Sequence, residues 1–415
     1  MPSVFRSRLG ALAAAAALVL ALPACDHVDP EERPPPPEGT LFAGVNFTTL
    51  FAPPTPTEVQ AVLADWAGRN PSSSNASVVA EAEVGGATLA VVEHTVTSAG
   101  APDVTHYGVV RIPAGASEAP VLVVHHGGDN GFSISALTSN TGVLQFAGVF
   151  APIAEEAVLV FPVYRSETIN TEAVPTLGGP YTASGDPSPW DYDVDDSMAL
   201  LSAAFELFGD ETDDGRVAAI GFSRGANTAV LQAVRDPRLD AVVDYYGPTD
   251  FYNESAFQLA QAILLPESNP SFQQAIQLPA AQFLLDNVLD PLRNADDTFN
   301  PNADYGPARL DVLRRSPGIF ASALPDTRVH HHFRDGVVPF TFSQAFAERV
   351  GGAAESFDVT FYGAPPTSQA DLDFLFHVAE ATPDMRASIP DVLAFLAVQL
   401  EVTGGGDGDD DGLTP

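Results

Sequence analysis

A serine between two glycines is the feature of this chain best suited to covalent chemistry. The motif Gly-Phe-Ser-Arg-Gly at residues 221–225 follows an apolar segment, residues 216–220, and precedes a segment of helical spacing, residues 226–234. Glycines on both sides allow a strand and a helix to pass closely at the turn that joins them. This spacing at a strand–turn–helix junction predicts a nucleophile elbow that presents the hydroxyl of Ser223. The alternative is that Ser223 only caps the helix.

A second glycine-rich segment could stabilise the negative charge that such a serine would create. An apolar segment at residues 120–124 runs through two histidines into a Gly-Gly-Asp-Asn-Gly loop at residues 127–131. Backbone N–H groups of such a loop, together with the N–H after the nucleophile, can form an oxyanion hole. The candidate donors are the backbone N–H groups of Gly127, Gly128, Asp129 and Arg224. The loop could instead be an ordinary turn. His125 and His126 could touch substrate there, and neither is predicted to be catalytic.

The serine needs a base and an acid, and both candidates lie downstream. A serine hydroxyl is a weak nucleophile until a histidine takes its proton, and an acid must orient that histidine. Asp335 lies in the turn after a predicted strand, residues 327–332, and His377 precedes the last long helical segment. The order Ser223, Asp335, His377 is that of α/β-hydrolase triads. Asp250, which also follows a strand, is the alternative acid.

These segments resemble the α/β-hydrolase superfamily, in particular its prolyl oligopeptidase-like and dienelactone-hydrolase-like branches. The stretches that carry the resemblance are residues 215–225, residues 236–247, residues 316–335 and His377. The resemblance covers roughly residues 77–400. It implies an α/β-hydrolase fold and a serine hydrolase with the triad named above. The chain departs from the family pattern at Arg224, where an aromatic residue is common, at His332, where glycine is common, and in the long insertion at residues 365–376. These departures leave the substrate class open.

The elements around the motifs fit this fold. Strands are predicted over residues 78–84, 88–97 and 104–112, and from residue 121 strands alternate with helices. Such alternation indicates a mostly parallel, twisted sheet that is flanked by helices on both faces. The predicted helices span residues 136–154, 194–209, 223–234, 340–350 and 386–400. Residues 57–60 resemble a capping box that begins a short helix to about residue 67, and residues 71–74 are predicted to be a loop.

An interruption in this alternation predicts a cap over the site. Residues 251–315 contain two apolar segments of helical spacing, residues 257–265 and 272–289. Loops at the carboxyl ends of parallel strands form the crevice in such folds, which is why we expect a helical cap here. A surface insertion without a role is the alternative. Trp190 could line the pocket or could simply be a packed aromatic residue.

The amino terminus predicts export. Two arginines precede a short apolar run, residues 9–22, that is below the roughly 20 residues needed to cross a bilayer and therefore resembles a signal peptide. Pro23 and Ala24 follow this run and precede Cys25, which lies at the expected cleavage position as in bacterial lipoproteins. We therefore expect a lipid anchor on Cys25, with ordinary secretion as the alternative. The predicted organisation is a signal peptide at 1–24, an acidic proline-rich tether at 25–39, a lead-in segment at 40–76, a catalytic domain at 77–402 with the cap at 251–315, and a disordered acidic tail at 403–415.

Charge limits the partners. The chain has 54 acidic residues and 18 basic ones, all arginine, which gives a formal charge of −36. Nucleic acid is excluded as a partner, because its phosphate backbone and this chain are both negatively charged. An adaptation to salt would explain this excess of acidic residues. A GC-rich genome that favours arginine over lysine, together with generally acidic exported proteins, is the alternative explanation. The acidic tail is a weak match to calcium loops, and His330, His331 and His332 are more simply explained as sheet residues than as a metal site.

The sequence therefore predicts an exported serine hydrolase that cleaves carboxylic esters and requires no metal or organic cofactor. A prolyl oligopeptidase-like peptidase or amidase acting on small peptides is the alternative activity, because the same triad serves both reactions. A non-catalytic binding protein on the same fold is the remaining alternative. The expected partners are a small ester or short peptide and, through the anchor, a membrane surface.

Overall fold

The computed structural model describes residues 41–135, 142–265, 279–354 and 356–403. The predicted signal peptide, Cys25 and the tether lie outside the described residues, as do residues 404–415 of the predicted tail. None of the helices in the part of the chain that is described has the length and hydrophobicity needed to cross a membrane.

Nine strands form the main sheet. In chain order they are β1 (Ser72–Val84), β2 (Ala87–Thr97), β3 (Val104–Pro113), β4 (Ala119–His125), β5 (Val158–Pro162), β6 (Thr212–Phe222), β7 (Ala241–Tyr245), β8 (Asp326–His332) and β9 (Phe357–Tyr362). Smaller pairings join Leu41–Phe42 to Val45–Asn46, and Gly131–Ser133, Thr168–Asn170 and Tyr181–Thr182 to one another.

The strand order defines the fold. Across the sheet the strands run β1-β2-β3-β5-β4-β6-β7-β8-β9. Strands β4 to β9 are parallel, whereas β3 pairs antiparallel with both β5 and β2. Strands β2 to β9 have the arrangement of the eight-stranded α/β-hydrolase sheet. The second of these eight strands, β3, is antiparallel, and the third and fourth, β4 and β5, exchange places across the sheet. Strand β1 is an addition at one edge. The predicted fold class is confirmed.

Helices cover the sheet. The longer ones are α1 (Pro56–Arg69), α2 (Val143–Val149), α3 (Tyr192–Leu207), α4 (Arg224–Arg235), α5 (Glu254–Leu264), α6 (Pro279–Leu284), α7 (Tyr305–Arg314), α8 (Thr341–Val350) and α9 (Ser388–Gln399). Shorter turns are Phe47–Leu50, Ala151–Ala154, Pro175–Leu177, Leu285–Leu289, Asp290–Leu292, Pro317–Ala323, Gln369–Asp371, Phe374–His377 and Pro383–Arg386.

Two apolar cores lie on opposite faces of the sheet. Helices α2 and α9 bury Phe146 and Leu396 against one face. Helices α3, α4 and α8 bury Leu200, Val230 and Phe346 against the other face. Burial of apolar surface on both faces is the main contribution to the stability of such a sheet.

A third core joins two segments that are far apart in sequence. Phe47 and Leu50 of the lead-in segment are fully buried in one cluster with Ile263 of α5 and Leu292, which follows α6. Glu58 of α1 also accepts a 2.6 Å hydrogen bond from Nε of Arg309 on α7. The described residues of the segment 251–315 are mostly helical, with an irregular stretch at residues 293–304, and they pack against the lead-in segment.

Several predicted boundaries are wrong. Residues 72–74, predicted as a loop, belong to β1, because they pair in register with residues 95–97 of β2. The capping box is formed by Thr55 and Glu58 rather than at residues 57–60, since only this pair has both reciprocal hydrogen bonds. Helix α1 then continues to Arg69, where Asn70 adopts a left-handed conformation.

Three predicted helices have different bounds in the structure. The helix at residues 136–154 is two helices, because Phe150 leaves the helical conformation before Pro152, and residues 136–141 lie outside the described residues. The predicted last helix, residues 386–400, corresponds to α9 (Ser388–Gln399), and only Arg386 belongs to the preceding short turn, Pro383–Arg386. The segment 272–289 is described only from residue 279, where α6 continues into a wider π-helical turn.

Candidate active site

Ser223 lies at a strained turn between β6 and α4. Its backbone has φ 57° and ψ −125°, a combination that residues other than glycine rarely adopt, and the residue is half-buried. A Cβ atom added to Gly221 would lie 2.2 Å from the carbonyl oxygen of Gly225, and one added to Gly225 would lie 2.4 Å from the carbonyl oxygen of His125. Only glycine therefore fits on either side. Strain of this kind at a strand–helix junction is typical of a nucleophile elbow.

His377 and Asp335 form a buried hydrogen bond. Nδ1 of His377 lies 2.7 Å from Oδ2 of Asp335. Oδ1 of the same carboxylate accepts hydrogen bonds from the backbone N–H groups of Val337 (2.7 Å) and Val338 (3.0 Å). An acid at Nδ1 fixes the tautomer in which Nε2 is free to act as a base. The two predicted members of the triad are thus brought together.

The charge on Asp335 is stabilised in spite of its burial. Burial alone would raise the pKa of Asp335, but the adjacent His377 and a hydrogen bond from His331 outweigh it and hold this pKa well below its ordinary value. The carboxylate is therefore ionised at neutral pH and can stabilise a positive charge on His377.

Tyr246 packs against the base and has no sequence motif that would mark it. Its ring centroid lies 4.3 Å from that of His377, and the residue is almost fully buried. The backbone has φ 50°, and its N–H donates to the carbonyl oxygen of His330. In the sequence, only its position directly after β7 and before Gly247 could have indicated that Tyr246 lies near the site. Tyr246 restricts the orientation of the His377 ring by contact.

The predicted oxyanion loop lies against the elbow. A Cβ atom added to Gly127 would lie 3.1 Å from Cβ of Ser223 and 2.9 Å from the carbonyl oxygen of Phe222. Gly128 has φ +79°, which favours glycine. The hydroxyl of Tyr164 donates to the carbonyl oxygen of His126 at 3.2 Å. The arrangement places the loop beside the nucleophile, as an oxyanion hole requires.

Arg224 contributes a side chain whose role the sequence did not predict. The guanidinium is buried and lies 4.6 Å above the ring of Tyr164. Its Nη2 donates to Asp193 of α3 at 2.6 Å, and its Nη1 donates to Asp129 at 2.9 Å, to the carbonyl oxygen of Gly128 at 3.2 Å and, at closer range, to Glu167. One side chain therefore joins the elbow, the loop and α3.

The remaining candidates have local structural roles. Asp250, the alternative acid, pairs with Arg349 at 2.5 Å. Nε1 of Trp190 donates to the carbonyl oxygen of Arg224 at 2.9 Å, which favours a packed aromatic residue over a pocket wall. Nε2 of His125 contacts Gln232 at 2.7 Å, and burial lowers the pKa of His125 to about 4.

The three consecutive histidines of β8 have separate partners. Nδ1 of His330 contacts the hydroxyl of Tyr362 at 2.9 Å, and Nδ1 of His331 contacts the hydroxyl of Ser343 at 2.7 Å. His332 accepts from the backbone N–H of Arg334 at 2.9 Å. They occupy sheet positions, as predicted. Among the described residues no group of histidine, cysteine, aspartate and glutamate side chains is arranged to hold a metal ion.

Fold and site together define a class: this chain is a hydrolase of the α/β-hydrolase fold. Its residues 193–278, which include the elbow, match the dienelactone hydrolase family. No curated protein matches the sequence. The similarity to the dienelactone-hydrolase-like branch is thereby confirmed, and the prolyl oligopeptidase-like branch stays a prediction.

Several solved structures are similar over most of their length. One is acetyl xylan esterase 1 from Thermoanaerobacterium sp. JW/SL YS485, at 15% identity and a TM-score of 0.46 over 80% of this chain and 97% of that chain. Another is the rice cell wall degrading esterase LipA from Xanthomonas oryzae, at 15% identity and a TM-score of 0.48 over 79% and 99%. The Pyrococcus furiosus esterase Pf2001 has 13% identity and a TM-score of 0.46 over 72% and 87%.

Proposed function

We propose that this chain is a serine hydrolase that cleaves carboxylic esters with Ser223, His377 and Asp335. The observation that carries the proposal is the 2.7 Å hydrogen bond between His377 and a buried Asp335, in the same structure as a strained elbow serine. An acid–histidine pair of this kind is what converts a serine hydroxyl into a nucleophile.

The reaction would proceed in two halves. Oγ of Ser223 attacks the ester carbonyl carbon while Nε2 of His377 takes the hydroxyl proton. The negative charge that forms on the carbonyl oxygen is stabilised by the N–H of Arg224 and by an N–H of the loop at residues 127–129. Collapse breaks the bond to the alkoxy group, which leaves as an alcohol with the proton from His377. Water, activated by His377, then releases the acid from the acyl-enzyme.

Esters are preferred over amides for one reason. The matched family is named for a dienelactone, and a lactone is a cyclic ester. Amide cleavage by the same triad is the competing activity.

The location is part of the proposal. The amino-terminal features at residues 6–25 support an exported protein with lipid on Cys25. Expression of the full chain in a bacterial host with radiolabelled palmitate should give a labelled protein in the membrane fraction. Cys25→Ala should lose the label, and label retained by this variant would contradict the anchor.

The activity can be tested with one probe and two substrate series. A fluorophosphonate should label the wild-type protein and should not label Ser223→Ala. Ser202→Ala is a suitable control, because this serine lies on α3 and donates to the carbonyl oxygen of Met198 at 3.1 Å. Turnover of p-nitrophenyl esters should exceed that of dipeptidyl-nitroanilides. Turnover confined to the anilides would favour the peptidase, and no labelling of the wild type would favour a binding protein.

A further inference from the structure

The side chain of Arg224 connects the two halves of the candidate oxyanion hole. Arg224 is the residue after the nucleophile, so its backbone N–H is one candidate donor. Its side chain is 6% exposed and reaches across to the loop that carries the other candidate donors, residues 127–129. A guanidinium has five donors in a rigid plane, so it can hold several acceptors at fixed positions, which the single ammonium of lysine cannot do.

The same cluster holds the loop at Gly128, at Asp129 and at Gly131. Arg224 donates to the carbonyl oxygen of Gly128 at 3.2 Å and to Asp129 at 2.9 Å. Glu167, which accepts from Arg224 through Oε1, accepts the backbone N–H of Gly131 through Oε2 at 2.7 Å. Three hydrogen bonds therefore attach the loop to Arg224 and Glu167, which are both buried. Its glycines have no side chains of their own with which to fix the backbone.

The cluster is anchored to rigid elements. Asp193, on the first turn of α3, is fully buried and accepts from Nη2 of Arg224 at 2.6 Å. Tyr164 lies under the guanidinium and donates to the carbonyl oxygen of His126 at 3.2 Å. Helix α3 and the segment after β5 thus position the loop through Arg224.

From this geometry we infer that Arg224 and Glu167 are positioning residues that set the distance between the elbow N–H and the N–H groups of residues 127–129. The inference rests on the proposed function, because it concerns the oxyanion of the same reaction. Stabilisation of an oxyanion depends on donors placed within a few tenths of an ångström, since the charge develops only in the transition state. A looser loop would therefore slow turnover and leave substrate binding almost unchanged.

The test compares lysine substitutions at two buried arginines of α4. Arg224→Lys keeps a positive charge and loses the forked contacts. Arg235→Lys is the matched control, because Arg235 also pairs with a buried aspartate of α3, Asp195, and is not bonded to the loop. We expect Arg224→Lys to lower kcat about tenfold to a hundredfold, as misplacement by about an ångström does, with KM within about twofold. Arg235→Lys should lower kcat less than about threefold.

A tetrahedral mimic separates positioning from general destabilisation. Phenylboronic acid bonds to the serine oxygen and places a boron-bound oxygen in the oxyanion hole. Its affinity should fall in Arg224→Lys by the same factor as kcat, measured at a temperature where circular dichroism shows a folded protein. If Arg224→Lys does not fold, Glu167→Gln serves instead, since glutamine retains an acceptor for the N–H of Gly131. We expect a fall of about threefold to tenfold in both quantities for that variant.

The outcomes distinguish the two proposals. An active wild type with equal losses in the Arg224→Lys and Arg235→Lys variants would overturn the positioning role and leave the esterase intact. The same holds if kcat falls while boronate affinity does not. A wild type that neither turns over esters nor reacts with a fluorophosphonate removes the reaction itself and overturns both proposals.

Discussion

Asp335 and Asp250 each follow the end of a strand, but their surroundings give them different roles. Asp335 bonds to His377 at 2.7 Å, whereas Asp250 bonds to Arg349 at 2.5 Å. Asparagine at position 335 would remain close to His377 and would favour the wrong tautomer of the ring. A change of this kind in a serine triad lowers kcat by about 10⁴.

We therefore expect Asp335→Asn to lose about four orders of magnitude in kcat on a p-nitrophenyl ester, with little change in the melting temperature. Asp250→Asn should lower the melting temperature and change kcat less than about threefold. Steady-state kinetics and circular dichroism melts on both variants check this. The reverse pattern would assign the acid to Asp250.

Glu167 gives the molecule a dependence on pH that comes from burial. Burial raises the pKa of Glu167 to about 7, and the neighbouring carboxylates add to it, although Arg224 acts in the opposite direction. The charged and titratable groups that face it are Arg224, Asp129, Asp193, His126 and Tyr164. Because the folded-state pKa is above the unfolded value, the folded state binds the proton more tightly.

Protonation of Glu167 therefore stabilises the folded state. This contribution to the free energy of unfolding is fully present below about pH 4.5 and is lost as the pH rises through about 7. A shift from 4.5 to about 7 corresponds to on the order of 3 kcal/mol. Glu167→Gln does not titrate, so its free energy of unfolding relative to wild type should rise between pH 5 and pH 8. Urea denaturation at both pH values measures this. A constant difference would show that Glu167 is charged in both states.

At the scale of elements, the lead-in helix is attached to the catalytic domain through buried charge. Arg69, the last residue of α1, is 3% exposed and bonds to Asp191 at 2.7 Å, with Asp195 at 3.6 Å. Removing one member of a buried pair leaves the other charge without compensation, which costs about 3–5 kcal/mol. The helix is therefore part of the folded domain rather than an appendage.

Arg69→Met should lower the free energy of unfolding by about 3–5 kcal/mol. Arg386→Met is the matched control, because Arg386 is exposed and, among the described residues, its side chain bonds only to the carbonyl oxygen of Thr382, at 3.4 Å. That variant should change stability by less than about 0.5 kcal/mol. Equal effects in urea unfolding would mean that the buried pair contributes no more than an exposed arginine.

Local patterns in the sequence predicted most elements, because strand alternation, helical spacing and glycine turns are local properties. The predicted strands at residues 78–84 and 88–97, for example, lie within β1 and β2, which are joined by a turn with positive φ at both Gly85 and Gly86. The predicted candidates Ser223, Asp335 and His377 stand out because each follows or precedes a recognisable element.

Contacts between distant segments could not be predicted in this way. Glu58 and Arg309 are 251 residues apart, and nothing near either residue indicates the other. The same reason hid Glu167, which acts on the loop at residues 127–131 only through the folded chain. The position of Tyr246 beside His377 depends on a strained backbone that composition does not reveal.

At the scale of the whole molecule, the arginines are used mainly inside the fold. The chain carries 18 basic residues against 54 acidic ones. Within the described ranges, eleven arginines form ion pairs with carboxylates, and several of these, such as Arg69, Arg165 and Arg224, are almost fully buried. Few positive charges therefore remain on the surface to offset the exposed acidic residues, and the exposed carboxylates repel one another.

This repulsion predicts that added salt stabilises the protein. The Debye length falls from about 8 Å at physiological ionic strength to about 3 Å at 1 M, so most repulsion between surface carboxylates is screened there. We expect the melting temperature and the ester turnover of the protein, expressed without the predicted signal peptide, to rise with NaCl between roughly 0.05 and 2 M. The rise should be steepest at the low end of this range. A screening effect should also depend on the number of surface charges. Asp210, Asp214 and Asp240 are exposed, so a variant with asparagine at all three positions should melt higher at low salt and gain less from added NaCl. A melting temperature that stays flat or falls with salt, or the same salt dependence in the variant, would favour genome composition over adaptation to salt as the origin of the acidic surface.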